Sequence, residues 1–269
     1  MALDRLRPGD HVCVVVNDEP LRTRSVAAYV RAGLRDQHRV IYHGRGAELL
    51  EAELVAQGVD VAAASRRDQL RIAGPGPSCL RGDGFDPEVA LCSWRAEADR
   101  ARAAGHRGLR SIGDMFWTDR LPWYEAQVNR LFAEGFAMGV CLYDPSLFTP
   151  GQLRQVSRSH PATFSAETAP RTVPLLRAVR TTEPAGIRLE GEADLSNRDA
   201  LEAVMEHLIA DTAVLTVDVS RLRFADGAAV SVLMRVPSDG KHRLRLVGCS
   251  PALRRLFELQ GAGPAVEYA

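Results

Sequence analysis

Short apolar runs rich in β-branched residues alternate along the chain with longer segments whose apolar positions recur at helical spacing. The first run, His11–Val16, ends at polar Asn17 and predicts a buried strand. The next segment, 21–34, predicts a helix. The same alternation predicts strands at 39–43, 70–73, 108–112 and 138–143, and helices at 47–56, 87–104, 123–132 and 152–159. Strands that alternate with helices predict a mostly parallel sheet covered on both faces.

A polar stretch rich in Pro and Thr interrupts this pattern between Phe164 and Pro174 and is typical of an interdomain linker. The alternation then restarts, with predicted strands at 186–190, 213–219 and 244–247 and helices at 198–209, 227–235 and 251–259. This second pattern predicts a small α/β domain. We therefore divide the chain into a domain at 5–165, a linker at 166–176 and a domain at 177–269.

The carboxyl ends of the strands in the first domain carry the candidate site, because ligands of parallel sheets bind there. The predicted ligand-sensing residues are polar or aromatic and lie at or near these ends: His11, Cys13, Asp114, Trp117, Glu125, Cys141, Asp144 and His160.

Each of these residues also has a structural interpretation. Imidazole and thiolate groups bind metals or a sensed molecule, yet a buried cysteine such as Cys13 is more often a small apolar side chain. The aromatics around Trp117 suit a pocket or a core equally. Glu125 has no evident partner in the sequence, and such carboxylates are usually solvated. We assign no metal site and no cofactor.

The composition of the 269-residue chain argues against several classes of function. Its 34 basic and 34 acidic residues balance, which argues against nucleic-acid binding through bulk charge. Apolar runs are too short to span a membrane. Five scattered cysteines without a CxxC pair indicate neither a disulfide framework nor a zinc finger. We expect a cytoplasmic protein without membrane or nucleic-acid partners.

The segment between the first strand and helix argues against nucleotide hydrolysis. Residues 16–25 contain no glycine and no lysine, and they place Asp18 and Glu19 where a phosphate would bind. The sequence also places no nucleophile, base and orienting group together at readable spacing, so we expect that the chain is not an enzyme.

Three stretches of the second domain are Leu189–Leu195, Val217–Asp226 and Leu246–Leu259. They resemble the STAS domain, the fold of bacterial anti-sigma-factor antagonists. The resemblance implies an anti-sigma factor of the serine-kinase type as partner. The residues that it implies for partner binding are Asp194, Ser220, Asp226, Gly227, Ala228 and Ser231.

The same resemblance implies a lost modification site. In the STAS family, the kinase phosphorylates the second residue after the aspartate, which is Ala228 here and has no hydroxyl group. Ser231 lies three residues further along the same helix and is a poor substitute. Control must then come from elsewhere, and we expect the first domain to cover the surface around 226–231 in one of its states.

The first domain contains Gly9–Cys13, Gly105–Met115, Tyr124–Asn129, Cys141–Asp144 and His160-Pro161 in this order. These stretches resemble the MEDS sensory domain. The resemblance implies a relative of RecA/KaiC-type ATPases that has lost its phosphate loop, and a role in sensing without a defined ligand.

Together these patterns predict a signalling regulator in which a MEDS domain, with an unknown small-molecule ligand, controls a STAS domain that binds an anti-sigma factor and so affects sigma-dependent transcription. Two alternatives stay open. One is an enzyme at the strand ends, with Glu125 or Asp114 as base and His11 or His160 assisting. The other is a scaffold whose STAS domains associate, which makes the chain a homo-oligomer.

Overall fold

The computed structural model describes residues 3–73, 85–165, 176–209, 213–238 and 241–269. Its N-terminal sheet has six parallel strands in the order β3-β2-β4-β5-β1-β6. These strands are β1 (His11–Val15), β2 (Arg39–His43), β3 (Leu70–Ala73), β4 (Leu109–Asp114), β5 (Ala137–Tyr143) and β6 (Ala162–Ser165).

Six helices belong to this domain: α1 (Glu19–Arg35), α2 (Ala47–Ala56), α3 (Val61–Arg66), α4 (Pro87–Ala103), α5 (Leu121–Ala133) and α6 (Pro150–Arg158). Because side chains alternate along a strand, the two faces of β1 meet different helices. Val12 and Val14 pack in the core that contains α1. Cys13 packs on the opposite face, in a core with residues of α5 and α6.

The C-terminal domain has a five-stranded sheet in the order β11-β10-β9-β8-β7, in which only the β7–β8 pair is antiparallel among the described strands. Its strands are β7 (Leu176–Thr182), β8 (Ala185–Ala193), β9 (Val214–Ala225), β10 (Arg243–Val247) and β11 (Val266–Tyr268). Its helices are α7 (Arg198–Ile209), α8 (Gly227–Leu233), α9 (Arg235–Ser238) and α10 (Pro251–Leu259). An apolar core fills this domain and also includes Ala133 of α5.

The two domains dock through α5 and α7. The Arg130 guanidinium on α5 donates to the Ala203 carbonyl on α7 at 3.0 Å. Arg177 on β7 forms a two-bond ion pair with the fully buried Asp10, at 2.6 and 2.8 Å, immediately before β1. The first strand of one domain is therefore tied directly to the edge strand of the other.

The predicted fold class is confirmed: a parallel sheet with helices on both faces is followed by a small α/β domain. Several predicted elements, among them 39–43, 47–56 and 251–259, have the bounds that the structure shows. Of the predicted linker at 166–176, Leu176 begins β7, and residues 166–175 lie outside the described residues. Phe164, at the start of the polar stretch, pairs within β6. None of the helices in the described parts of the chain is both long and apolar enough to cross a membrane.

Candidate functional site

A cavity of about 250 Å³ lies between the N-terminal sheet and helices α4 and α5. It begins at the carboxyl ends of β2 and β4 and extends inward to the start of β1. Its lining is mainly apolar and aromatic, a composition that favours a small, largely apolar ligand. The lining residues are His11, His43, Gly44, Arg45, Trp94, Ser111, Ile112, Gly113, Asp114, Met115, Phe116, Tyr124, Glu125, Val128, Phe132, Gly139, Val140, Cys141 and Leu147.

Two ion pairs hold the outer rim of this cavity. The buried Arg22 side chain donates to both oxygens of Asp114, at 2.7 and 2.6 Å. Arg45 donates to Asp144 at 3.1 Å. Gly44 is required here, because a Cβ at this position would collide with Asp114 and Tyr42. The structure thus places Asp114 and Asp144 in a charge-paired rim.

Four of the predicted residues converge at the inner end of the cavity: His11 at the start of β1, Glu125 on α5, Cys141 on β5 and His160 after α6. Their ligand atoms all lie within 4.8 Å of one another. The Glu125 carboxylate is central, with its Oε2 atom 3.3 Å from His11 Nε2 and 3.4 Å from His160 Nε2. The expectation that Glu125 is solvated is wrong, since its side chain is completely buried.

Hydrogen bonds from outside the group fix the orientation of these side chains. His11 Nδ1 lies 3.0 Å from Asn129 Oδ1, and His160 Nδ1 lies 2.7 Å from the Val156 carbonyl oxygen. The Tyr143 hydroxyl donates to Glu125 Oε1 at 2.8 Å. Both imidazoles consequently direct Nε2 toward Glu125.

Burial controls the protonation of this inner end. Loss of solvent and then the neighbouring His11 lower the pKa of His160 to about 3, so its imidazole is neutral near pH 7. Burial, followed by the nearby Glu125 charge, raises the pKa of the Cys141 thiol well above its usual range. The group therefore contains the neutral imidazole of His160 and the thiol of Cys141 beside the Glu125 carboxylate.

The remaining two predicted residues of this domain, Cys13 and Trp117, belong to an apolar core. Cys13 is fully buried in the core formed with Tyr124 and Val156. Trp117 packs against the same core and is not one of the described residues that line the cavity. Of the nearby aromatics, Phe116 and Tyr124 line it instead.

The start of α1 is unsuited to phosphate. The Asp18 carboxylate accepts the Leu21 backbone N–H at 2.7 Å, so the chain's own anion occupies the position that a phosphate takes at a helix N-terminus. Glu19 follows it, half-exposed, and pairs with Arg22.

In the second domain, Asp226 joins two loops at the start of α8. One carboxylate oxygen accepts the Ala229 N–H at 2.9 Å and the other accepts the Leu195 N–H at 3.0 Å. Asp194 caps the neighbouring turn through the Ser196 N–H at 2.7 Å. Asp194 and Asp226 thus shape one edge, beside the exposed side chain of Phe224.

The first turn of α8 presents no free hydroxyl group near Asp226. Gly227 and Ala228 are half-buried, and the exposed Ser231 donates its hydroxyl to the Gly227 carbonyl at 2.7 Å. The Gln260 amide donates to the same carbonyl at 2.8 Å. Ser220 is exposed on β9, and its N–H donates to Asp218 rather than to this edge.

Comparison with known proteins agrees with the two domain resemblances. The family model described as MEDS, the methanogen/methylotroph DcmR sensory domain, matches residues 10–161, which is more than half of the chain. The chain belongs to the MEDS family. A second family model, described as the Mlab STAS domain, matches residues 176–266, so a STAS domain follows the MEDS domain.

Two solved structures are similar to parts of the chain. The anti-sigma factor antagonist SpoIIAA in its unphosphorylated form is 25% identical, with a TM-score of 0.28, and the match covers 35% of this chain and 88% of that protein. A KaiC-like protein from the hyperthermophilic archaeon Pyrococcus horikoshii OT3 is 14% identical, with a TM-score of 0.41, over 64% of this chain and 79% of that one. No curated protein matches the chain.

A surface groove runs between the MEDS and STAS domains. Leu153, Arg154, Ser157 and Arg158 of helix α6 form its MEDS wall, and Asp194, Leu195, Ser196, Phe224 and Asp226 form its STAS wall. Of the surface at 226–231, Asp226 alone among the described residues lines this groove, so covering of that surface by the MEDS domain stays a prediction. The edge is not closed off, because Phe224 remains 52% exposed and Leu195 54% exposed.

Sequence reasoning missed the residues that orient the inner end of the MEDS cavity, namely Asn129, Tyr143 and Val156. Asn129 lies four residues after Glu125, so a shared helical face was readable. Its partner was not, because the contact to His11 joins residues 118 apart in sequence.

Proposed function

We propose that the chain is a non-catalytic signalling regulator. Its MEDS domain binds a small, largely apolar molecule in the cavity behind Asp114. Its STAS domain binds an anti-sigma factor of the serine-kinase type and thereby affects sigma-dependent transcription. The MEDS domain controls the STAS domain through their shared interface.

The observation that carries this proposal is the groove that α6 and the Asp226 edge form together. A STAS partner that docks on Asp226 and Phe224 also meets α6 of the MEDS domain. Any ligand-induced shift of α6 then changes the partner site directly, without a covalent modification.

The absence of a hydroxyl group at Ala228 supports a non-covalent mechanism. Phosphorylation adds a charge near −2 and blocks docking through repulsion, and Ala228 cannot accept it. Ser231 is a weak replacement, because its hydroxyl already bonds the Gly227 carbonyl within the helix.

The contacts of the charged groups weigh against the alternative of catalysis. Both oxygens of Asp114 accept hydrogen bonds from Arg22, so this carboxylate is already engaged in an ion pair. The amides at the start of α1 are capped by Asp18, which argues against phosphoryl transfer.

The test is calorimetric titration of the full chain with a panel of serine-kinase anti-sigma factors, with and without ATP. We expect micromolar or tighter binding to at least one of them and no phosphate on residues 226–231. Phe224→Ser should weaken this binding more than about tenfold, or roughly 1.4 kcal/mol. The matched control is Leu49→Ser, which changes an equally exposed apolar residue on α2.

A second arm removes residues 1–165; among the buried residues of the STAS core, the deletion takes away Ala133. We expect the affinity for the anti-sigma factor to change more than about tenfold. Absence of binding to the whole panel contradicts the partner, whereas unchanged affinity after the deletion contradicts control by the MEDS domain.

A further inference from the structure

The inner end of the MEDS cavity holds four potential metal ligands with suitable spacing. His11 Nε2 lies 3.3 Å from both Cys141 Sγ and Glu125 Oε2, and Cys141 Sγ lies 3.5 Å from that same oxygen. His160 Nε2 lies 3.4 Å from it. Bonds of roughly 2.0–2.3 Å to zinc place tetrahedral ligands about 3.3–3.7 Å apart. Four of the six separations therefore match the edges of such a site, and the other two, from His160 to His11 and to Cys141, are within 4.8 Å.

The two imidazoles are oriented as metal ligands are. The Val156 carbonyl accepts only, so His160 Nδ1 carries the proton and Nε2 has a free lone pair. The Asn129 amide nitrogen donates to the Glu125, Ala126 and Ser159 carbonyls. Its oxygen therefore faces His11, which makes His11 Nδ1 the donor. Such outer hydrogen bonds characteristically fix the rings of histidine ligands.

Within the described residues, one nitrogen of this arrangement has no hydrogen-bond partner. His160 Nε2 is completely buried and has no hydrogen-bond partner. Tyr143 satisfies only the other carboxylate oxygen, Oε1. A buried acceptor left without a donor is costly, and one cation at the centre would engage all four atoms.

We propose that His11, Glu125, Cys141 and His160 bind one divalent transition-metal ion of the zinc class. Two imidazoles, a thiolate and a carboxylate suit such an ion, whereas magnesium and calcium prefer oxygen ligands alone. The thiolate and the carboxylate together balance the two positive charges. When the ion binds, the Cys141 thiol releases its proton to solvent and its sulfur bonds the ion.

The site goes beyond the proposed signalling function, because it does not depend on the STAS partner. It also places the ion at the end of the cavity, since His11, Glu125 and Cys141 line that cavity.

The test uses the full chain, stripped with a chelator under reducing conditions and then loaded with Zn²⁺ or Co²⁺. We expect one equivalent per chain by elemental analysis. We also expect the visible bands of tetrahedral Co²⁺ with a near-ultraviolet thiolate-to-cobalt band. Cys141→Ser should lose the thiolate band, and Glu125→Gln and His160→Gln should each lower the zinc affinity at least about tenfold.

Cys92→Ser is the matched control, because this cysteine is exposed on α4 and its loss should change neither stoichiometry nor spectrum. The wild-type titration decides the matter even if a buried variant fails to fold. Uptake well below one equivalent overturns the proposal. So does a cobalt spectrum that is the same in wild type and Cys141→Ser. Neither result involves the anti-sigma factor, so failure of the metal site and failure of the signalling function are separable.

Discussion

The inner end of the MEDS cavity and the Asp226 edge of the STAS domain are both built around a carboxylate, with opposite outcomes. Glu125 is fully buried, and beside it His160 Nε2 has no hydrogen-bond partner. Asp226 accepts two backbone N–H groups and leaves neither oxygen without a donor. The first carboxylate therefore lies in a cluster that a bound ion would complete, whereas the second holds a surface in one shape. Under the proposed function, the MEDS domain would supply the variable input and the STAS domain the constant output.

Metal removal should have the largest effect, a loss of stability that we expect in the MEDS domain. An ion that binds only the folded protein, at a free concentration about 1,000 times its dissociation constant, adds about 4 kcal/mol to the free energy of unfolding. We expect the chelated protein to lose this stabilisation in a denaturant titration followed by tryptophan fluorescence. Trp94, Trp117 and Trp123 are the only tryptophans and all lie in the MEDS domain. If zinc leaves the denaturant midpoint unchanged, the ion does not stabilise the MEDS domain and this difference between the two regions is lost.

Overpacking the cavity should act on the MEDS domain alone. A Cβ at Gly139 would collide with the Phe132 ring, so Gly139→Val should destabilise the chain by about 1–3 kcal/mol. It should also reduce the uptake of benzene, an apolar probe detected by NMR. Gly151→Ala on α6 has ordinary contacts and is the control. Equal benzene binding by the Gly139→Val variant would show that the cavity is not the ligand site.

Restoring a hydroxyl group at residue 228 should make the surface beside Asp226 responsive to phosphorylation. Ala228→Ser places an acceptor in the first turn of α8, beside Asp226. We expect phosphorylation by the partner kinase and ATP, followed by a loss of affinity of more than about tenfold, or roughly 1.4 kcal/mol. Mass spectrometry and calorimetry measure the two effects. Ser231→Ala is the control and should behave as wild type; phosphate at Ser231 in the wild-type chain would show that the switch was never lost.

The smallest expected effect is on the pH dependence of stability, through His38. Burial and then the neighbouring Arg110 lower the pKa of His38 to about 4, compared with a usual value near 6.5. The unfolded chain therefore takes up this proton first, and the contribution of His38 to stability is lost as pH falls from about 6.5 to about 4. His38→Gln should move the acid-unfolding midpoint of MEDS tryptophan fluorescence to lower pH. A midpoint equal to that of wild type would assign the acid sensitivity to other groups.

Much of the fold follows from short-range pattern, as the agreement at 39–43 and 251–259 shows. The missed strands are those whose pattern is weak. Strand β6 has four residues beside a polar stretch, and β7 is an edge strand with mostly half-buried positions. Their identity as strands comes from pairing with β1 and β8, which a local pattern does not contain.

The candidate site was predictable as a group of residue types but not as a geometry. The sequence placed His11, Cys141 and His160 near strand ends, yet it gave Glu125 no partner. Helix α5 carries buried polar residues at Glu125, Gln127 and Asn129, because the sheet covers one side and α7 packs on another. A helix that is covered on more than one side no longer has an amphipathic sequence. On such a helix, the sequence pattern does not distinguish a buried carboxylate from a solvated one.

The position of β1 in the sheet has a consequence for the order in which the chain folds. β1 is made first but pairs with β5 and β6, which lie about 125 to 150 residues further along the chain. Such non-local pairing is slow, because a long loop must close before the contacts form. During synthesis, the first strand can pair on one side only after β5 has left the ribosome and on the other only after β6 has done so. The inner end of the cavity, which requires His11 and His160 together, is therefore among the last parts of the MEDS domain to assemble.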